Sequence, residues 1–274
     1  MPVIVIDSVI GGGKSTLTQI LSSELGTIPF YEPVSNNPIL SQFYEGNKMV
    51  ESGKWKTNPY AFELQIYYLN KRFRMIKEAM KQDNNVLDRA IYTDALFARA
   101  NFEQGHMTQG EWDMYADLLD NMMEEIPLFN IKKSPDLMVY IKLSYDTMIK
   151  RIKKRGREFE QLENDPSLES YYKDLLQRYA KWEKEYDVSP MLTIDGDKYD
   201  FVASLDDRKI VLEKIYKALV GVGTLTEDQY AALVKKLDNL QLTSHTGEYD
   251  VDDNVTATTD DTTTDAGTPE LVTE

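Results

Sequence analysis

The chain has 274 residues, is 42% hydrophobic and carries a formal net charge of -15, which allows one sizeable domain with its own core and gives the wrong sign for gripping duplex nucleic acid. Nine of the 46 acidic residues and none of the 31 basic ones fall after residue 242, so the remainder carries only about -6. With no cysteine and only His106 and His245, disulfides, thiolate metal centres and histidine-rich metal sites are excluded; no apolar run nears 18 residues and the first residues lead straight into a strand, so a cytoplasmic globular protein with no membrane partner is expected.

Val3 to Ile6 is a short apolar run of β-branched residues, the pattern of a central parallel strand covered on both faces. Glycines follow, then a helical pattern through Leu17, Ile20 and Leu21 that ends near Gly26. Ile28 to Tyr31 reads as a second short strand. Pro59 to Met80 reads as a long helix, with Phe62, Ile66, Leu69, Phe73, Ile76 and Met80 at helical spacing. Val86-Leu87 closes a third strand, and Ile91 to about Phe102 forms a helix. Another helix spans Thr108 to Met123, with Ile126-Pro127 as its stop. Leu137 to Leu143 is the fourth strand, and Ser144 caps the helix that carries Met148, Ile149 and Ile152. A helix from Asp165 to Glu185, a strand from Met191 to Ile194 and a helix from Asp207 to Leu219 complete the order.

Strands alternating with helices specify an α/β fold, a parallel sheet wrapped by helices. Thr226-Glu227-Asp228-Gln229 is a capping-box pattern that starts one more helix to about Leu240. Residues 243–274 are rich in Thr and Asp with little to bury, and disorder is expected there. The chain therefore divides into a domain over 1–220, an added helix in 221–242 and an acidic tail over 243–274.

Between the first strand and first helix lies Ser8-Val9-Ile10-Gly11-Gly12-Gly13-Lys14-Ser15-Thr16. A phosphate loop needs glycines so that backbone N–H groups turn inward around phosphate oxygens, a Lys for the β/γ-phosphates and a hydroxyl for Mg²⁺. The helix starting near Lys14 adds its positive dipole end. Ser8 stands where G-x-x-x-x-G-K-[ST] has its first Gly, and the three consecutive glycines partly compensate. Such a loop implies only a bound nucleoside triphosphate, ATP or another, and could serve a GTPase, an ATPase or a small-molecule kinase.

Three later segments fall at or beyond the carboxyl ends of strands, where a doubly wound sheet binds ligands. Glu32, followed by the stiff Pro33, is a carboxylate suited to take a hydroxyl proton. Asp88-Arg89 ends the third strand with a metal-directing carboxylate and a cation. Arg151 and Arg155 are four apart on one helix face, and Gly156 frees Arg157 to point separately. Guanidinium groups that close over a transferring phosphoryl group are what its charge requires.

The phosphate loop, Glu32-Pro33-Val34, Asp88-Arg89 and the R-x-x-x-R-x-R run followed by Glu158-Phe159-Glu160 resemble the deoxynucleoside kinase family, closest to its bacterial deoxyadenosine/deoxyguanosine branch. The resemblance covers about residues 1–220 in order. It implies a P-loop kinase fold with a doubly wound five-stranded sheet and a short lid, and phosphorylation of a deoxyribonucleoside 5′-hydroxyl by a nucleoside triphosphate with Mg²⁺. It further implies Glu32 as general base, Gly11 to Thr16 on phosphate, and Ser15 and Asp88 on the metal. Arg89 would lie near the reacting oxygens, with Arg151, Arg155 and Arg157 in the lid. Ala90 stands where the family commonly has Ser, so a hydroxyl role there is absent.

Gln65 and Arg72 are seven apart on one helix, about 20° from alignment, and a Gln amide both donates to and accepts from a base edge. By the resemblance, Gln65, Arg72 and Asp94 read the base, Phe62 packs near it, and Tyr44 and Glu160 hold the sugar 3′-hydroxyl. Family flavour favours purines, deoxyadenosine first, and a homodimer or a heterodimer with a related kinase subunit. Two alternatives are a nucleoside monophosphate kinase, whose substrate Glu32 would repel, and a catalytically inactive kinase-like subunit.

Overall fold

The computed structural model describes residues 3–31, 37–79, 81, 84–129 and 134–242. Glu32-Pro33-Val34, Met80 and the tail over 243–274 lie outside them.

Five parallel strands, β1 (Val3–Ser8), β2 (Ile28–Phe30), β3 (Asn85–Asp88), β4 (Leu137–Lys142) and β5 (Met191–Asp195), form one sheet in the order β2-β3-β1-β4-β5. The three central strands are the deeply buried ones. Ile4, Ile6, Val86, Val139 and Ile141 are fully buried, as a strand covered on both faces demands. From β1 the chain crosses to the edge strand β2, returns to β3 beside β1, and then passes to β4 and β5 on the other side. This reversal opens a crevice at the carboxyl ends of β1, β3 and β4.

α1 (Lys14–Leu25) covers β1 to β3, and α8 (Leu205–Gly221) covers β4 and β5. α7 (Leu168–Glu185) reaches the sheet through aromatic packing: Tyr179 stacks on Tyr140 of β4 at 5.9 Å, and Trp182 meets both rings edge-on. Such pairs contribute about 0.5–1.5 kcal/mol each beyond their burial. α2 (Leu40–Glu51), α3 (Pro59–Ala79), α4 (Asp94–Glu103) and α5 (Gln109–Phe129) pack on one another. α6 (Tyr145–Arg155) starts at the Ser144 cap, whose Oγ accepts from the Thr147 N–H at 3.3 Å.

Two elements differ from the periodicity. α2 was not legible because Gly46 and Asn47 interrupt its apolar face. A Cβ on Gly46 would lie 2.2 Å from Asn58 Oδ1, so the glycine makes room for a side chain that returns from the next loop. Asn58 Nδ2 donates to the Phe43 carbonyl at 2.8 Å and to Asn47 Oδ1 at 2.6 Å, tying the long 46–58 stretch back onto α2. α5 does not stop before Pro127 but continues to Phe129. Proline in a last turn removes a single backbone bond instead of breaking a helix interior.

The Thr226–Gln229 capping box is formed on both sides and starts α9 (Glu227–Leu237), which buries Leu233 and Leu237 against α8. No helix among the described residues is long and apolar enough to cross a membrane.

His106 is buried beside α4, with Nδ1 3.4 Å from Asn101 Oδ1 and its carbonyl accepting from the Asn58 N–H at 2.9 Å. Burial lowers its pKa, so the folded state keeps the ring neutral while the unfolded chain takes up a proton near ~6.5. Its stabilising contribution is present above that pH and is lost as the pH falls. Thermal melts from pH 7 to 5 should show a declining Tm, and His106→Gln should make the decline shallower.

Candidate active site

Ser8 closes β1 with ordinary backbone geometry, since Asn84 and Arg89 are the only described non-glycine residues with positive φ. Its Oγ donates to the Ile141 carbonyl at 2.6 Å. A Cβ on Gly12 would lie 2.0 Å from that oxygen. The first motif glycine is thus exchanged: Ser8 fills the space that Gly12 leaves. Gly13 has φ 83 and precedes the first residue of α1, a conformation that disfavours any side chain. Its open space is taken by the Phe201 ring, 3.2 Å from where a Cβ would sit. Thr16 lies in the first turn of α1.

Lys14 is buried, its Nζ 3.4 Å from the carbonyls of both Ser8 and Val9, so the ammonium is held over its own loop. Ser15 Oγ donates to Asp88 Oδ2 at the end of β3. A hydroxyl from the first turn of α1 and a buried carboxylate from the end of β3 make a hard-oxygen pair, which fits the few protein ligands that Mg²⁺ takes beside triphosphate and water.

Arg89 follows with φ 81, a left-handed conformation that costs a side-chain-bearing residue about 1–3 kcal/mol. Its N–H donates to the Ile6 carbonyl at 2.8 Å and its guanidinium lies 4.8 Å from the Phe97 ring centre. The buried Asp7 of β1 is the centre that sequence reasoning missed. Its oxygens accept from the N–H groups of Ser8 at 2.7 Å and Ala90 at 2.8 Å, Thr93 Oγ1 at 2.8 Å and the Tyr179 hydroxyl at 3.0 Å. An acidic residue directly after four apolar strand residues was the available signal.

Lys14, Ser15 and Arg89 share one cavity of about 390 Å³ with Arg155 and Arg157 and with Tyr44, Gln65, Arg72, Asp94 and Glu160. Five helices, α1, α2, α3, α4 and α6, and the segments that follow β3 and α6 converge there. Both lid cations face Glu160: Arg155 Nη2 pairs with one carboxylate oxygen, and Arg157 Nη1 lies 3.5 Å from the other. Tyr44, on α2, packs against Phe159 at 5.1 Å between ring centres. Burial, then the Glu160 charge, pushes its pKa well up, so it remains a neutral hydroxyl. On α3, Arg72 forms a buried ion pair with Asp94 at the start of α4. Asp94 lines the cavity, and its Oδ2 is buried and makes no hydrogen bond among the described residues.

Among the described candidates, Gly11, Gly12, Gly13, Thr16, Phe62, Asp88 and Arg151 do not line this cavity. Phe62 is half-buried against the core. Arg151 turns toward the back of the phosphate loop, its Nη1 donating to the Gly12 carbonyl at 3.1 Å and its Nη2 to the Gly196 carbonyl at 2.7 Å. It braces the loop against the segment after β5, where the buried Arg208 holds the carbonyls of Phe201 at 2.8 Å and Val202 at 3.1 Å. Tyr31, Tyr68 and Tyr171 also line the cavity. Nothing local marked them, because they come from three different elements.

The deoxynucleoside kinase family model matches residues 4–221. The chain belongs to this family. This kinase is 54% identical over 235 residues to the deoxyguanosine kinase of Lactobacillus johnsonii, covering 86% of the chain and 100% of that protein. It is 46% identical over 223 residues to the deoxyadenosine kinase of Lactobacillus acidophilus, covering 81% and 99%. The solved deoxyadenosine kinase of M. mycoides with bound dATP superposes with a TM-score of 0.61 at 30% identity, covering 78% of this chain and 99% of that one. The family is one of nucleoside triphosphate-dependent phosphotransferases, and the five-stranded P-loop kinase fold expected from the sequence is present.

The Ser8–Gly12 exchange gives a direct test. Gly12→Ala should lower kcat/KM of this kinase by on the order of tenfold or more through a displaced phosphate loop. Adding Ser8→Gly, which removes the colliding atoms, should restore most of it in steady-state assays.

Proposed function

We propose that the protein transfers the γ-phosphoryl group of ATP, or another nucleoside triphosphate, to the 5′-hydroxyl of a purine deoxynucleoside. The product is the 5′-monophosphate, a nucleotide-salvage reaction. One observation carries this reading: a single cavity is lined both by phosphate-loop residues with the cations Arg89, Arg155 and Arg157 and by Gln65, Arg72 and Asp94, a set suited to reading a base edge.

Glu32 is the proton acceptor in this reading. It follows directly on Tyr31, which lines the cavity at the end of β2. As the 5′-oxygen bonds to the γ-phosphorus, its proton passes to the Glu32 carboxylate, and the bridging oxygen leaves with the nucleoside diphosphate. Lys14 holds the β/γ-phosphates, and Arg89, Arg155 and Arg157 offset charge on the transferring group. Mg²⁺, when bound, neutralises charge on the triphosphate; Ser15 and Asp88 are the residues that would hold it. Tyr44 and Glu160 flank the sugar, and the hydroxyl that Tyr44 keeps protonated is a donor for the 3′-oxygen.

For the base, Arg72 matches the adjacent O6 and N7 acceptors of guanine, while a Gln such as Gln65 matches N6 and N7 of adenine. Asp94 Oδ2 accepts from either purine. The greater identity to the Lactobacillus johnsonii deoxyguanosine kinase supports deoxyguanosine first and deoxyadenosine second, reversing the order that family flavour suggested. We keep the cytoplasm as the expected compartment. We also propose a dimer, with itself or a related subunit; Met114 on α5 is 61% exposed, and sedimentation as a monomer would overturn this.

With ATP and Mg²⁺, kcat/KM should rank deoxyguanosine above deoxyadenosine, with deoxynucleoside monophosphates inert; turnover of monophosphates alone would reject the proposal. Glu32→Gln should keep nucleoside affinity by calorimetry while kcat falls by about 10²–10⁴. An unchanged kcat would remove Glu32 from the reaction.

A further inference from the structure

Arg89 and Asp7 carry opposite charges at adjoining strand ends, yet they do not close into a direct bidentate pair. Arg89 Nη1 stands 4.0 Å from Asp7 Oδ1. The Tyr179 hydroxyl lies between them, accepting from Arg89 Nη1 at 2.9 Å and donating to Asp7 Oδ1 at 3.0 Å. A hydroxyl has one proton to give, so these two bonds fix its orientation. The ring cannot swing away, because it is fully buried, stacked on Tyr140 and set edge-on against Phe97. Phe97 is also the ring under the Arg89 guanidinium. The backbone on either side of Arg89 is fastened to β1, through the Ile6 carbonyl and Asp7 Oδ2. Only the reach of the side chain is left to be set.

We infer that Tyr179 is a positioning residue: its hydroxyl is a spacer that relays the charge of Asp7 while keeping the Arg89 guanidinium on the cavity wall. Without that hydroxyl, attraction in a buried, weakly screened setting draws the guanidinium onto the carboxylate and away from the reacting oxygens. Burial, followed by the Asp7 charge, raises the Tyr179 pKa well above its ordinary value, so the hydroxyl stays a donor at every working pH. Tyr179 is 90 residues from Arg89 and 172 from Asp7, and it does not itself line the cavity. The inference rests on the reading of Arg89 as the group that meets the transferring phosphoryl.

The test is Tyr179→Phe, which removes one oxygen and keeps the stacked ring. kcat should fall by on the order of tenfold to a hundredfold through the misplaced cation, with KM for nucleoside and for ATP each changing by less than about threefold. Thr93→Val is the control. It removes a hydroxyl that bonds the same Asp7 carboxylate and neighbours the Tyr179 hydroxyl but keeps the Arg89–Tyr179–Asp7 chain, so it should lower Tm and cost much less kcat than Tyr179→Phe. Arg89→Lys supplies the reference and should lose at least as much kcat as Tyr179→Phe. Full kcat in Tyr179→Phe beside a crippled Arg89→Lys overturns the spacer alone. Full kcat in Arg89→Lys overturns the reading of Arg89 and the spacer with it. Equal kcat losses in Tyr179→Phe and Thr93→Val would mean general loosening and also overturn it.

Discussion

A cavity that gathers guanidinium groups must supply counter-charges, because a buried cation without a partner is far costlier than any contact it replaces. Every part of this site answers to that constraint. Arg72 has Asp94, Arg155 and Arg157 share Glu160, and Arg89 is held toward Asp7 through Tyr179. Each carboxylate comes from a different element than at least one of its cations, so the ion pairs also fix the docking of helices on strands. Neutralisation and geometry are one arrangement here. A polyanionic ligand can then draw on cations that are already oriented, which is the condition for electrostatic stabilisation without reorganisation.

The phosphate loop shows how tightly that geometry is packed. Three neighbours occupy places that side chains on its glycines would need: Ser8 Oγ at Gly12, the Phe201 ring at Gly13, and Ile152 at Gly11. Arg151 fastens the Gly12 carbonyl from behind. The departure at Ser8 is therefore compatible with a working loop, since the space that the motif usually leaves at its first position is supplied four residues later. Helix α6 plays two parts, with Arg151 bracing the loop and Arg155 facing Glu160. The i,i+4 spacing puts both on one side of the helix, but the two meet different partners because the side chains diverge at their tips.

The part of the cavity proposed for the nucleoside is built on the same logic with fewer charges. The Arg72–Asp94 pair offers a donor fork and an acceptor oxygen side by side, and Gln65 offers an amide. Together they match a purine edge that presents adjacent donors and acceptors, and a site of buried polar groups discriminates steeply against ligands that leave them unpaired. Asn58, filling the space beside Gly46, keeps α2 in place so that Tyr44 reaches Phe159 and the Glu160 side of the cavity.

Chain order and spacing alone determined the alternating strands and helices, the phosphate loop with Lys14 and Ser15, the Asp88-Arg89 step and the capped helices at Ser144 and Thr226. Those signals span a few residues, within the reach of one strand period or one helical turn. The tertiary structure decided what meets across elements: Asp7 with a tyrosine 172 positions later, Arg151 turned to the loop instead of the cavity, Phe62 off the cavity wall, and α2 kept by an asparagine from the following loop. Periodicity encodes which face of an element is apolar. It carries no information on which buried polar atoms will come within hydrogen-bonding distance once those faces dock, and that is where the chemistry of this site is set.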